Sequence, residues 1–186
     1  YSTLIIGECG TLSWAGIASD VTSSSLTGYN GSPGISGSTT VCPTSTTTYT
    51  YSVTNLGGTD TASVTIIVYV PPTVTFTSND ADNAILVGQS VILSWSVSGS
   101  TLTYTSLTSN VGYNSTPSPT GSLTVTPTIT TTYTYTAVNL GGTDIKSITI
   151  VVYQVPQLTV TQPSSIDYGE SLSIPLTYRY ASGGVS

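Results

Sequence analysis

Apolar and polar positions alternate one by one along most of this 186-residue chain. Val91, Leu93 and Trp95 fall on one side of an extended segment. So do Tyr133, Tyr135 and Ala137, and then Ile148, Ile150 and Val152. Period two is the mark of a half-buried strand, and no stretch carries the 3.6-residue stripe of an amphipathic helix. The pattern predicts strands over Thr73–Thr77, Val91–Val97, Leu102–Ser106, Leu123–Thr126, Thr131–Asn139 and Lys146–Tyr153. Leu12, Trp14, Tyr49, Tyr51, Val53, Val64, Ile66 and Val68 repeat the pattern earlier in the chain. Asn139-Leu-Gly-Gly142 reads as a hairpin turn, since Asn and Gly tolerate positive φ.

The alternation is organised by an internal repeat. TTTYTYSVTNLGGTD (Thr46 to Asp60) returns as TTTYTYTAVNLGGTD (Thr130 to Asp144), identical at 12 of 15 positions and offset by 84. Upstream, the Leu-Ser-Trp ending at Trp14 returns at Trp95 with an offset of 81. A third copy begins at Pro156, where Gly169 to Leu176 matches Gly88 to Trp95, and stops after about two strands' worth of sequence. A period near 84 suits one small all-β module per copy. The expected organisation is a first module over 1–70 that lacks part of its first strand, a second over 71–155, and a partial third module or exchanged strand segment over 156–186. Val70-Pro71-Pro72 and Val155-Pro156 read as short, stiff linkers, because proline fixes φ and cannot donate to a ladder.

Composition narrows the functions available. Only 5 % of residues are charged and the net charge is −6, so Ser, Thr, Asn and Gly must cover the surface. Thirteen Tyr and long Val/Ile/Thr stretches argue against disorder. Lys146 and Arg179 are the only cations. Nucleic-acid binding needs clustered Lys and Arg, so no nucleic-acid partner is expected. The longest apolar run, Ile66 to Val70, is far short of a membrane span, and no membrane insertion is expected in this segment. With no Met and no signal-peptide pattern, the sequence reads as starting within a mature or trimmed chain.

The Leu-Ser-Trp strands and the Tyr49-Thr-Tyr51 and Tyr133-Thr-Tyr135 pairs resemble the immunoglobulin-like family, especially the bacterial and viral (Big/Ig-like) tandem repeats of surface proteins and virion appendages. The resemblance implies an all-β fold of tandem immunoglobulin-like β-sandwiches, two full and one begun. It places the tryptophans where antibody domains carry one disulfide cysteine and the tyrosine pairs where they carry the other. Trp14, Tyr49, Tyr51, Trp95, Tyr133 and Tyr135 are then core aromatics, with an aromatic pair in place of the inter-sheet bridge. It also implies that the strands bearing Cys9 and Cys42 are neighbours. A surface cross-strand disulfide is therefore expected, set against two free thiols. It would close a loop of about 30 residues, stabilise by roughly 3–4 kcal/mol, and indicate an oxidising compartment.

Other candidates for chemistry are few. Asn30 and Asn114 head Asn-x-Ser/Thr sequons at equivalent places in the two copies, and are candidate N-glycosylation sites beside the bland reading of Asn-bearing turns. Asp80 and Asp82 form a weak Ca²⁺ candidate whose spacing is not that of an EF-hand, so a polar turn is favoured and no metal is expected. Tyr29, Tyr104 and Tyr113 offer a possible stacking platform for sugars, or merely fill gaps between loop and sheet. With no His, no Lys beside a candidate Ser and no paired acids, neither acid–base nor nucleophilic catalysis is expected. The expectation is a non-enzymatic structural or adhesive region, extracellular or on a cell or virion surface, needing no cofactor. Its partners are copies of itself or other surface structural proteins. A carbohydrate- or receptor-binding module is the alternative.

Overall fold

The computed structural model describes residues 2–28, 32–159 and 177–179. All regular structure among them is β, in line with the period-two pattern. In chain order the strands are β1 (Ser2–Ile5), β2 (Gly10–Ala15), β3 (Ser23–Leu26), β4 (Ser36–Val41), β5 (Thr47–Asn55), β6 (Gly58–Tyr69), β7 (Thr73–Ser78), β8 (Ala84–Leu86), β9 (Val91–Ser98), β10 (Leu102–Ser109), β11 (Asn114–Ser115), β12 (Thr120–Val125), β13 (Thr131–Asn139), β14 (Gly142–Tyr153), β15 (Gln157–Thr159) and β16 (Thr177–Arg179). The six strands expected from the second copy are all present. β13 has the expected bounds, β10 runs three residues longer, and β14 begins four residues earlier because its hairpin with β13 zips up to the Gly-Gly turn. The short strands β1 and β8 were not legible as strands. They run parallel to β6 and β14, and a parallel neighbour lends no local turn signal.

The chain divides into two compact units, residues up to 74 with 97–105 and 136–145, and residues 75–96, 106–135 and from 146 onward. In the first unit a four-stranded sheet of order β1-β6-β5-β3 faces the two-stranded sheet β2-β4. β5 and β6 form a hairpin paired from Thr47↔Ile66 to Asn55↔Gly58. Leu12 from one sheet and Leu26, Tyr49, Tyr51 and Ile66 from the other make one buried cluster, with Trp14 packed against it. That shared interior makes a two-layer sandwich. The outer face of the hairpin is covered by paired hydroxyls: Thr48–Thr65 at 2.8 Å, Thr50–Ser63 at 2.9 Å and Thr54–Thr59 at 2.8 Å. A surface with almost no charge is thus satisfied by cross-strand hydrogen bonds between its own side chains.

Residues 97–105 and 136–145 belong to the first unit because the 70–74 segment lies on them. The Val70 carbonyl accepts from Asn139 Nδ2 at 2.8 Å and from the Ser100 N–H at 3.1 Å. The Val70 N–H donates to Ser100 Oγ at 3.0 Å, and the Val74 N–H to Asp144 Oδ2 at 2.7 Å.

The remaining sheets have the orders β11-β10-β13-β14-β8 and β12-β9-β7. In the second unit Val91, Leu93, Trp95, Leu107, Val125, Tyr133, Tyr135, Ile150 and Val152 are buried. Thr132–Thr149 and Thr134–Ser147, both at 2.8 Å, repeat the outer hydroxyl pairing. β15 pairs with β16, Gln157 opposite Arg179.

Candidate functional site

The aromatic positions meet as matched pairs. Trp14 stacks on Tyr51 with ring centroids 6.0 Å apart, and Trp95 on Tyr135 at 5.6 Å. Each pair is also anchored on backbone carbonyls, adjacent ones in the first unit and a shared one in the second. Trp14 Nε1 donates to the Pro33 carbonyl (3.1 Å) and the Tyr51 hydroxyl to the Gly34 carbonyl (2.7 Å). Trp95 Nε1 (2.9 Å) and the Tyr135 hydroxyl (3.2 Å) both donate to the Ser118 carbonyl. A buried indole N–H or phenol O–H needs such a partner, and a carbonyl on the chain entering the next strand supplies it. Tyr49 and Tyr133 are buried one position-pair before these residues.

The sequence reading overlooked the residue beneath each indole. Gly37 pairs across the ladder with Trp14, and Gly121 with Trp95. A Cβ would lie 2.7 Å from Trp14 Cζ2 at Gly37, and 2.9 Å from Trp95 Cζ2 at Gly121. The signal was a Gly retained at the same place in both copies, two residues before the strand expected over Leu123–Thr126, since Gly beside a strand often marks a close approach.

Cys9 and Cys42 form a disulfide, with Cα atoms 4.2 Å apart, next to the Gly10↔Val41 pair. Both residues are exposed, as a cross-strand bridge on the outer face requires. The equivalent place in the second copy holds the Ser90 and Thr126 hydroxyls, hydrogen-bonded at 2.8 Å.

One cleft among the described residues lies in the second unit. It is open, about 430 Å³ in volume, and lined mainly by Val111, Tyr113, Leu123, Pro127, Ile129 and Tyr133, with threonines between them. The lining contains no acid, cation or thiol. Of its hydroxyls, Thr131 Oγ1 donates to the Ile129 carbonyl (2.7 Å). The Tyr133 phenol is pushed above its ordinary value of 10.0, first by burial and then by the neighbouring Tyr113. Such a wall offers an aromatic and aliphatic face for stacking, and nothing that moves a proton near neutral pH.

Of the three tyrosines considered as a sugar platform, Tyr113 therefore lines the cleft. Tyr104 lies in the first unit on β10, 50 % exposed, and is not part of the lining. Tyr29 and Asn30 lie outside the described residues. Asn114 is exposed on β11, opposite Thr108. Asp80 and Asp82 serve a turn. The Asp82 N–H donates to Asp80 Oδ1 and the Ala84 N–H to Asp82 Oδ1, each at 3.3 Å. The hydrogen bond with the Asp82 side chain is the main cause that holds the Asp80 carboxyl below its ordinary 3.8. No cluster of three or more potential metal ligands occurs among the described residues.

Several solved structures similar to this chain are multi-domain immunoglobulin chains. The chain is similar to the four N-terminal Ig domains of Dscam1 isoform 1.9, at 12 % identity and TM-score 0.51 over 81 % of this chain and 43 % of that one. It is similar to the amphioxus IgVJ-C2 molecule, at 19 % identity and TM-score 0.53 over 80 % of this chain and 99 % of that one. The fold is immunoglobulin-like. An I-band fragment of titin matches at 17 % identity and TM-score 0.51, over 83 % of this chain and 63 % of the fragment. The chain thus spans about half the length of several immunoglobulin chains it resembles, and identities this low carry the fold alone. No family model matches the sequence, and no curated protein matches it significantly.

Proposed function

We propose that this chain is a non-catalytic run of immunoglobulin-like repeats on the outside of a cell or virion, acting as a spacer or building block of a stalk, fibre, filament or surface layer. The observation that carries this reading is the duplication itself. The same aromatic pair, the same carbonyl anchor and the same hydroxyl-paired outer face are built twice, and neither copy adds a reactive group. The repeats are assigned to 1–70, 71–155 and a third begun at 156. The third is supported by β15 and β16, which occupy the sequence places of β7 and β9 and pair as those do. A disulfide suits an oxidising compartment. No helix among the described residues is long and apolar enough to cross a membrane. Partners on this reading are copies of the chain or other surface structural proteins. The exposed Asn114 sequon is open to a glycan. Immunogold labelling with an antibody to this chain tests the assignment. Label along a projection on intact cells or virions is the expected result, and label confined to the cell interior would overturn it.

A second reading, carbohydrate binding, is favoured by one observation, the Tyr113–Tyr133 wall of the open cleft. Aromatic faces with adjacent hydroxyls stack on sugar rings. Binding on a glycan array that disappears in Tyr113→Ala would support it, and a blank array would remove it.

A further inference from the structure

The sheet β12-β9-β7 ends on β12, and among the described residues nothing pairs with the outer side of that strand. The hydrogen bonds of β9 fix which backbone groups stand there. The Ile92 carbonyl accepts from the N–H of Asn79, just past β7, at 3.0 Å, and the Ile92 N–H donates to Asn79 Oδ1 at 2.7 Å. The Ser94 carbonyl accepts from Thr77 Oγ1 on β7 at 3.5 Å. Ile92, Ser94 and Ser96 thus turn their backbone groups toward β7 and away from β12. Their partners on β12 are Thr124, Ser122 and Thr120. These are the non-hydrogen-bonded pairs of an antiparallel ladder, so the N–H and C=O of all three point out of the sheet edge. Their side chains are exposed, while Gly121, Leu123 and Val125 turn inward.

Sheet edges are usually guarded by a charge, a proline or a bulge. Thr120–Val125 carries neither charge nor proline, and its register with β9 runs unbroken from Thr120 to Val125. Pro119 and Pro127 stand just outside it and bound the length that a partner strand can pair. The cleft runs beside the same strand: Leu123, Thr124 and Val125 line it together with Val111, Tyr113 and Ile129. The last three are 52 %, 38 % and 57 % exposed. An apolar patch therefore adjoins a row of outward backbone groups. In the first repeat the Gly16 N–H donates to the Ile35 carbonyl at 2.7 Å, so Ser36, Ser38 and Thr40 of β4 face outward in the same way. There, however, Thr39 stands in the place of Leu123, and Cys42, bridged to Cys9, stands in that of the cleft residue Thr126.

We propose that β12 pairs antiparallel with β12 of a second copy of the chain, across a two-fold axis at Ser122. Ser122 then faces the partner's Ser122, and Thr120 faces the partner's Thr124. This axis maps Thr120, Ser122 and Thr124 onto themselves, so every outward N–H meets an outward C=O and each facing pair exchanges hydrogen bonds in both directions. On the inner face Leu123 falls opposite the partner's Gly121, a large side chain against a position that has none. The cleft, lying along the paired edge, is closed in both copies. Like edges meet, so the contact is isologous and saturates at a dimer that joins two chains side by side. The proposal rests on the building-block reading and names the surface through which copies join. A paired edge and a sugar-filled cleft exclude each other.

Sedimentation velocity on the whole chain tests it. The mass of the parent chain is expected to double as concentration rises. Ser122→Pro removes an N–H that the ladder with β9 does not use. It is expected to keep the chain monomeric, with the thermal midpoint of the dilute parent. Ser122→Lys and Ser122→Glu each set like charges against one another across the axis. Each is expected to be monomeric alone, and the two are expected to dimerise when mixed. A parent chain that stays monomeric at every concentration overturns the proposal. So do association that survives Ser122→Pro and charge variants that remain monomeric when mixed. Each of these failures leaves the spacer reading intact, since surface labelling tests that separately.

Discussion

Gly37 and Gly121 show how one missing methyl group sets the geometry of an aromatic core. Each lets an indole lie flat across the neighbouring strand, within reach of its tyrosine and its carbonyl anchor. Gly121→Ala is expected to lower stability by about 1–3 kcal/mol, because the added Cβ overpacks against Trp95. Gly37→Ala should act likewise through Trp14, and urea unfolding reads both. Tyr133 is the residue that ties stability to pH. Its phenol is held above its ordinary 10.0 by burial and by Tyr113. The unfolded chain therefore releases this proton first, and ionisation favours unfolding. The contribution is intact below pH 10.0 and is lost as pH rises from there through the folded value. In Tyr133→Phe the unfolding midpoint should fall less steeply above pH 10.0; a slope equal to that of the parent would remove the assignment.

At the scale of elements, the repeats solve the same local problem with different chemistry. Where the first staples the starts of β2 and the end of β4 with Cys9–Cys42, the second joins the same places with a Ser90–Thr126 hydrogen bond. The covalent link constrains the unfolded chain, and the hydrogen bond does not. Cys9→Ser with Cys42→Thr recreates the second repeat's pair and should cost roughly 3–4 kcal/mol in the chain-entropy account. Thermal unfolding with and without reductant gives the same comparison in the parent chain. The hairpin asparagines should differ as well. Asn139→Ala removes donors from the Val70 and Ser100 carbonyls and an acceptor from Gly141, a loss of about 1–3 kcal/mol at a buried site. Asn55→Ala removes fewer bonds at a more exposed hairpin and should cost less. Hydrogen exchange at the Gly141 and Gly57 amides would report the two effects side by side.

For the molecule as a whole, the scarcity of charge makes a prediction of its own. With the outer faces held by hydroxyl pairs, and only two cations in the chain, little stability resides in screened charge–charge attraction. The unfolding midpoint should change little between low and physiological salt, and a marked dependence would point to an electrostatic network that the hydroxyl pairing does not provide. The all-β class, the repeat and the position of β13 could be read from sequence, because period-two alternation and a 12-of-15 match are local properties of the chain. The pairing of Tyr51 with Trp14 needed the immunoglobulin resemblance as well. The parallel strands β1 and β8, the Ser118 anchor and the cleft at Tyr113 were not legible, because each depends on which distant segments become neighbours. Nor could sequence alone show that the Asn-Leu-Gly-Gly-Thr-Asp hairpin at 139–144 holds the 70–74 segment. Sequence determined that this chain makes strands and makes the same sandwich repeatedly, since side-chain alternation fixes which face of each strand is buried. Tertiary structure decided which segment seats on the Asn139 hairpin, because hydrogen bonds to a segment seventy residues away exist only once the chain has folded.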